Sequence, residues 1–262
     1  MDNLKNITIG VVTYNNADEI GELLNSITEC SSFHDLTVYL YDNASTDNTA
    51  GVVKEKYPWV RLIKGKKNLG FGRAHNEIIK LVKSKYHIIV GPDVNIHTDT
   101  ITDAVKYLDD NPDIAVLTPF VLNPDGTQQY LPKRNPKLKY LLGGTFENKF
   151  KWAARLRAEY TLKDKVITEP IDVEFCTGAF MFTRTDMLIG VGGFDDRYFL
   201  YSEDADLTRK LRSIGRAVYV PNIRITHKWH RDNRRRRKKT FWIALHSNIK
   251  YMMKWSKMQK YQ

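Results

Sequence analysis

Over the first 119 residues, apolar β-branched runs alternate with helical periodicities. ITIGVVTYN (7–15) is a continuous apolar run with a polar end, the pattern of a strand covered on both faces. ADEIGELLNSITEC (17–30) then brings Ile20, Leu23, Leu24 and Ile27 to one helical stripe. The alternation continues with a strand at LTVYLYDN (36–43), a helix over 46–57 and a strand at VRLIKG (60–65). A helix over 71–84, a strand at HIIVGPD (87–93), a helix over about 98–110 and a strand at IAVLTP (114–119) complete it. This order predicts an α/β chain with a doubly wound, mostly parallel sheet that binds ligands at the carboxyl ends of its strands. Polar residues stand at those ends: Thr13, Tyr14 and Asn15, then Asp42 and Asn43, then Asp93.

The alternation breaks over 120–172, a polar stretch with Pro124, Pro132 and Pro136 in which 146–160 reads as a helix. A strand over VEFCTGAFMFTR (173–184), an acidic helix within YFLYSEDADLTRKLR (198–212) and short strands at 217–221 and 223–227 follow. The tail, 231–258, reads as one or two helices with Trp242, Leu245, Ile249, Met252 and Met253 at helical spacing.

Charge changes the picture only at that tail. The net charge of the 262 residues is +11, and residues 228–262 carry twelve bases against one acid, Asp232. The rest of the chain is neutral, so the high isoelectric point does not argue for nucleic acid, and no base-reading module accompanies RRRRKK (234–239). The tail is expected either to pack on the body or to lie at an anionic bilayer. Cys30 and Cys176 fall in different elements, which suggests neither a disulfide nor a cysteine metal site and fits a reducing, cytoplasmic setting. The N-terminus has no charged-then-apolar leader, and no run has the length of a membrane span.

Two nucleotide chemistries lose ground. Gly70-Phe71-Gly72 lacks the third glycine of a dinucleotide fingerprint, with His75 in its place, and it follows the third strand rather than the first. GKKNLGFG (65–72) has the first spacing of a phosphate loop but Phe71 where the lysine belongs.

The acidic helix offers three carboxylates, Glu203, Asp204 and Asp206. At about 100° per residue, Asp204 borders the apolar face of Leu207 and Leu211. Asp206 falls among Arg209, Lys210 and Ser213, where a solvated pair with Lys210 is expected. An inward Asp204 is either a favourable first-turn charge or a functional base. Asp42 and Asp93 are either turn residues or ligand contacts. Arg73 is either a surface charge or, with Asn68, part of an anion site at a helix mouth.

Together, VVTYNN, YDNASTDNT, NLGFGRAHN (68–76), GPDV (91–94), CTGAFMFTR…GGFDDRYFLYSEDADLTRKLR and ITH (225–227) resemble the glycosyltransferase family 2 enzymes with their GT-A fold. The match is nearest to bacterial rhamnosyltransferase-like members and spans about residues 5–227. It implies a catalytic body over 1–227, with a nucleotide-binding half over about 1–119 and an acceptor-side half over about 120–227, followed by a basic helical tail over 228–262. It implies an inverting transfer of a sugar, L-rhamnose from dTDP-rhamnose, to a hydroxyl of a polyprenyl-diphosphate-linked saccharide. The enzyme would lie in the cytoplasm against the inner face of the cell membrane, touching it through 231–258. Asp204 would be the general base, with Glu203 as runner-up and Gly178 beside it on the acceptor side. Thr13, Tyr14, Asn15, Asp42, Asn68, Arg73, Asn76 and Pro92 would contact the donor. Asp93 and His227 would hold Mn2+ or Mg2+; the family's metal motif often opens with an acid, and Gly91 stands there instead. The alternative is a non-catalytic membrane- or polyanion-binding protein on a transferase-like body. The tail charge fits that alternative, whereas Asp93, Asp204 and His227 weigh against it.

Overall fold

The computed structural model describes residues 6–228 and 234–258, with side chains in the second stretch from 241 to 257. Its strands are β1 (Ile7–Thr13), β2 (Leu36–Asp42), β3 (Arg61–Lys64), β4 (Tyr86–Val90), β5 (Val94–Ile96), β6 (Ile114–Leu122), β7 (Gln128–Gln129), β8 (Ile171–Asp172), β9 (Phe180–Arg184) and β10 (Arg216–His227). They form one sheet whose main path runs β3-β2-β1-β4-β9-β6-β10-β5. The helices are α1 (Ile20–Thr28), α2 (Thr49–Lys56), α3 (Phe71–Ile79), α4 (Thr100–Asp110), α5 (Leu138–Phe146), α6 (Lys151–Tyr160), α7 (Thr185–Gly190), α8 (Glu203–Leu211) and α9 (Arg234–Met258).

The expected parallel half is present. β1 pairs in parallel with β2 and with β4, and the register sets Thr13 opposite Asp42. Every residue of β1 and β4 is buried, which is why both read as unbroken apolar runs. The stripe Ile20, Leu23, Leu24 and Ile27 of α1 is wholly buried in the core that covers this half of the sheet.

Several features depart from the sequence reading, among them an unexpected helix, α5, ahead of α6, which begins at Lys151 rather than at 146. The strand expected over 173–184 is confined to Phe180–Arg184, and it enters antiparallel between β4 and β6. The two short strands expected at 217–221 and 223–227 are one, β10, with an irregularity between Val220 and Arg224. A further edge strand, β5, follows Asp93 directly and pairs antiparallel with the end of β10, Val94 facing His227.

The described part of α9 is docked on the body. Tyr251 is 1% exposed and gives its hydroxyl hydrogen to Asn135 Oδ1 at 2.9 Å. Ser247 donates to the Leu200 carbonyl at 2.8 Å. Lys254 bridges Asp206 Oδ2 at 2.7 Å and Asp195 Oδ2 at 2.8 Å, and Trp255 donates its indole N–H to Asp206 Oδ1 at 2.8 Å. Asp206 is therefore fully buried, not solvated, and Lys210 turns instead to the carbonyls of Val191 and Gly193. A wheel with one buried face misreads α8, because its second face is covered by a helix from the far end of the chain.

The same docking inverts the expected polarity of the tail. With Trp242 at zero on the helical wheel, Ile249 and Met253 lie within about 20° of it, while Ser247, Tyr251 and Lys254 lie about 120–180° away. The polar and aromatic side is buried, and Trp242, Ile249 and Met253 are exposed. The basic run 234–239 lies at the start of α9, but its side chains are outside the described residues. Among the described residues, no helix is long and apolar enough to cross a membrane.

Candidate active site

Two loops meet at the tips of β1 and β2. Asn15, in a left-handed conformation (φ 59°), accepts the backbone N–H of Thr46 at 2.8 Å through Oδ1, and its own N–H donates to Ser45 Oγ. Ala44 is also left-handed, at φ 63°. Such conformations cost of order 1 kcal/mol or more for residues with a side chain and concentrate where a site imposes them. Asp42 is buried and accepts the Ser45 N–H at 3.2 Å, so it builds the turn it closes. Thr13 is wholly buried, its hydroxyl without a partner among the described residues, and the Tyr14 ring is exposed at the mouth.

The donor contacts expected from α3 have other partners. Arg73 donates through Nε and Nη2 to the Asp196 carbonyl. Asn76 donates to the Phe194 carbonyl and accepts its N–H, both at 2.9 Å. Asn68 Oδ1 accepts from Asn43 and from the Gly70 N–H. The Phe71 N–H goes to the Phe199 carbonyl at 3.1 Å. At this helix mouth Arg73 and Asn76 fasten α3 to the segment 194–196 that leads into α8. Gly70 is indispensable there. Its φ is +84°, and a Cβ would lie 2.0 Å from the Phe199 carbonyl oxygen.

Asp93 and His227 do come together. His227 Nε2 lies 3.3 Å from Asp93 Oδ2, both side chains largely buried. Gln129, from β7, clamps the histidine: its Nε2 donates to the His227 carbonyl at 2.6 Å, and its Oε1 faces His227 Nδ1 at 2.8 Å. An amide oriented by the first bond can only accept at the second, so Nδ1 carries the hydrogen. In the neutral ring Nε2 then presents a lone pair to the carboxylate, two acceptors facing across a gap that a cation would close. The separation is near the roughly 3 Å between adjacent ligands in an octahedral shell of about 2.1 Å bonds, so the pair fits a small divalent ion. Among the described residues no third His, Cys, Asp or Glu joins them. Gly91 belongs to this geometry, since a Cβ there would stand 2.9 Å from Asp93 Oδ1. Pro92, half-buried, completes the turn. Sequence reasoning missed Gln129 because it sits in the polar stretch with no periodicity to mark it.

Asp204 lies on the other side of one backbone turn. Its Oδ2 accepts the Gly178 N–H at 3.0 Å, and the next residue, Ala179, accepts the Gly91 N–H at 3.0 Å. Gly178–Ala179 therefore touches both the Asp204 carboxylate and the turn that carries Asp93. A Cβ on Gly178 would meet the Phe71 ring at 2.8 Å, so the glycine lets that ring approach the backbone. Burial pushes the Asp204 carboxyl above the ordinary range, opposed by the Lys133 charge and by the N–H groups of Gly178 and Ala205. The helix start alone would have left it a weaker base. Tyr201 and Ser202, just before α8, are both left-handed (φ 69° and 66°), a second cluster of strain at the site.

Glu203 does not share this role. It is 4% exposed, its Oε2 has no partner among the described residues, and burial followed by the Asp204 charge holds it well above the carboxylate range.

Asp204 opens onto a cavity of about 930 Å3 walled by α5, α6 and the start of the side-chain-described part of α9. Lys133, Lys137 and Arg157 line it, with Tyr160, Leu141 and Trp242. A carboxylate at the wall of such a cavity can take a proton from a group seated there.

Comparison with known proteins bears on the family and the fold. The chain is 28% identical over 94% of its length to N-acetylglucosaminyl-diphospho-decaprenol L-rhamnosyltransferase of Mycobacterium tuberculosis, covering 83% of that protein. It is 29% identical over 70% of its length to the rhamnosyltransferase WbbL of Escherichia coli K12, again covering 70% of it. The mannosyltransferase PcManGT of Pyrobaculum calidifontis, solved with GDP-Man and Mn2+, superposes with a TM-score of 0.61 at 20% identity over 87% of this chain and 58% of that one. GalNAc-T7, solved with UDP, GalNAc and Mn2+, gives 0.64 at 15% identity over 88% of this chain and 45% of that one. These neighbours share the GT-A fold. The family described as glycosyl transferase family 2 matches residues 8–191, and this chain belongs to it.

Proposed function

We propose that the protein is a metal-assisted, inverting rhamnosyltransferase, moving L-rhamnose from dTDP-rhamnose to a hydroxyl of a polyprenyl-diphosphate-linked saccharide. The observation that carries this reading is the shared backbone turn: Gly178–Ala179 contacts the Asp204 carboxylate on one side and the Asp93 turn on the other. Two backbone hydrogen bonds thereby link the candidate base to the turn that carries the cation-ready pair. The named relatives supply the sugar and the acceptor class, since the mycobacterial protein's name specifies both rhamnose and a diphospho-decaprenol acceptor.

In this reading Asp204 accepts the acceptor hydroxyl's proton as that oxygen bonds to the anomeric carbon, while the bond from that carbon to the diphosphate breaks and dTDP leaves. The raised affinity of the buried Asp204 for protons favours this step. Asp93 and His227 would hold a divalent cation, whose charge offsets that of the departing diphosphate when bound. Gln129 keeps His227 Nε2 turned toward Asp93. The first and second strand tips, with Tyr14 exposed at their mouth, would receive the nucleoside.

The exposed stripe Trp242, Ile249 and Met253, and Leu138, Leu142, Phe150 and Trp152 on the α5–α6 hairpin, support peripheral contact with the inner face of the cell membrane. The adjacent run RRRRKK would add attraction to anionic lipid of about 1 kcal/mol per basic residue near the surface.

The test is a panel of dTDP- and UDP-sugars with Mn2+, offered with a short-chain polyprenyl-diphosphate GlcNAc acceptor. Transfer from dTDP-rhamnose well above every other donor is expected. Preference for a UDP-sugar would overturn the donor, and absence of both transfer and nucleotide binding would favour a non-catalytic protein.

A further inference from the structure

The cavity beside Asp204 carries more positive charge than the protein neutralises. Of its charged lining residues three are cations, Lys133, Lys137 and Arg157, and one is an anion, Asp204. Among the described residues the one carboxylate paired with Arg157 is Glu147, at 3.5 Å and partly exposed. Lys137 is exposed at the cavity and joins no ion pair among the described residues. Lys133 is the most constrained: its ammonium stands 5.1 Å from the Phe175 ring centroid and 5.9 Å from that of Tyr160. Arg157 lies 5.8 Å from the same Tyr160 centroid, so two cations flank one ring. Burial lowers Lys133 to about 8, with Asp204 supporting its charge and Arg157 opposing it. A second anion in the cavity would complete its neutralisation.

That anion cannot sit against Asp204, whose carboxylate would repel it. It belongs toward Lys137, which precedes α5, and Arg157 on α6, the lining cations that carry no buried carboxylate partner among the described residues. Leu141 and Phe241 give the wall apolar surface, and Trp242 continues it into the exposed stripe of α9. An anionic group with an apolar chain on one side and a hydroxyl-bearing group on the other matches this order of surfaces.

We propose that this cavity seats the diphosphate of a lipid-linked acceptor, with Lys137 and Arg157 gripping the phosphates, Lys133 behind them, and the lipid leaving past Trp242. The α5–α6 hairpin thereby recognises the acceptor's anionic link rather than its sugar. This rests on the acceptor class proposed above, but not on the identity of the donor sugar.

The experiment is calorimetric titration of the full chain with farnesyl diphosphate and with farnesol, in EDTA so that no metal offers a rival phosphate site. Farnesyl diphosphate should bind at least about 10-fold more tightly than farnesol, since charge-assisted contacts to phosphate are the strong ones. Lys137→Ala and Arg157→Ala should each weaken it about 10-fold, Arg157→Lys should retain part of the affinity, and Asp93→Asn should leave it unchanged. In turnover, the two alanine variants should raise KM for a diphosphate-linked acceptor about 10-fold with kcat nearly constant, while a phosphate-free lipid glycoside shows no such shift. Equal binding of farnesol, parent-like binding by both alanine variants, or loss of binding in Asp93→Asn would overturn the proposal. If no dTDP-sugar is transferred to any acceptor, the donor assignment falls and the titration still decides the diphosphate seat.

Discussion

Lys254 should matter far more than a lysine four residues from the end of a surface helix ordinarily would. Its ammonium lies 2.7 Å from Asp206 and 2.8 Å from Asp195, with Asp206 fully buried. Burial tends to raise the Asp195 carboxyl, but Lys254 and the Arg197 N–H groups hold it down at about 2. Lys254→Met keeps the stem and deletes the charge, which strands a buried carboxylate. Breaking a buried pair from one side costs about 3–5 kcal/mol. Asp206 would keep the Trp255 and Tyr198 donors, so the lower end, about 3 kcal/mol, applies here. That is a large share of a typical folding free energy of about 5–15 kcal/mol. Asp206→Asn should cost less, because Lys254 retains Asp195, and the double variant should recover about 2 kcal/mol of the summed losses. Urea unfolding of the four proteins gives the cycle. Acceptor KM should rise with Lys254→Met as well, because Phe241 and Trp242 wall the cavity from the same helix. Additivity within about 0.5 kcal/mol would refute the seating of α9 on α8.

Three further outcomes follow from the site and the core. Gln129→Leu removes the bond that fixes the His227 tautomer and should weaken Mn2+ binding about 10–100-fold by electron paramagnetic resonance titration in the presence of dTDP; unchanged affinity would dismiss the Asp93–His227 pair as a cation site. Gly178→Ala forces the Phe71 ring or the turn to yield, and should cost about 1–3 kcal/mol of stability and lower kcat more than donor affinity; parent-like kcat would show that the turn does not orient Asp204. His75 and His87 are buried with all four ring nitrogens unpartnered among the described residues, and burial lowers His87 to about 3 and His75 well below its ordinary value. The unfolded chain takes up protons below about 6.5 that the folded chain does not, so this contribution to stability is complete above that pH and lost on acidification. By pH 5 the loss at His87 alone is about 2 kcal/mol, so His87→Leu should close on the parent by that amount between pH 7 and pH 5; parallel profiles would contradict it.

The strand tips were legible because β1 and β4 are buried on both faces, β2 on one face and at its end, and polar residues follow their apolar runs, a pattern that needs only local sequence. Asp204 was legible for a related reason: its flank of α8 faces Leu207 and Leu211 across one stripe. Asp206 was not, because its partners Lys254 and Trp255 lie nearly fifty residues away, and a helical wheel carries no information about a second covering element. The direction of β9 was equally hidden, since an apolar run buried on both faces reads the same in either sense. Arg73 and Asn76 have the composition of an anion site, and only the folded chain shows that carbonyls of 194–196 use them.

Asp204→Asn tests the base assignment most directly, with single-turnover transfer and nucleotide-sugar binding measured on the same preparation. The predicted result is loss of transfer by at least about 100-fold, the low end for a general base, with donor affinity within a factor of about two. Transfer at parental rates, or donor binding lost together with transfer, would contradict the assignment of that carboxylate to the acceptor's proton.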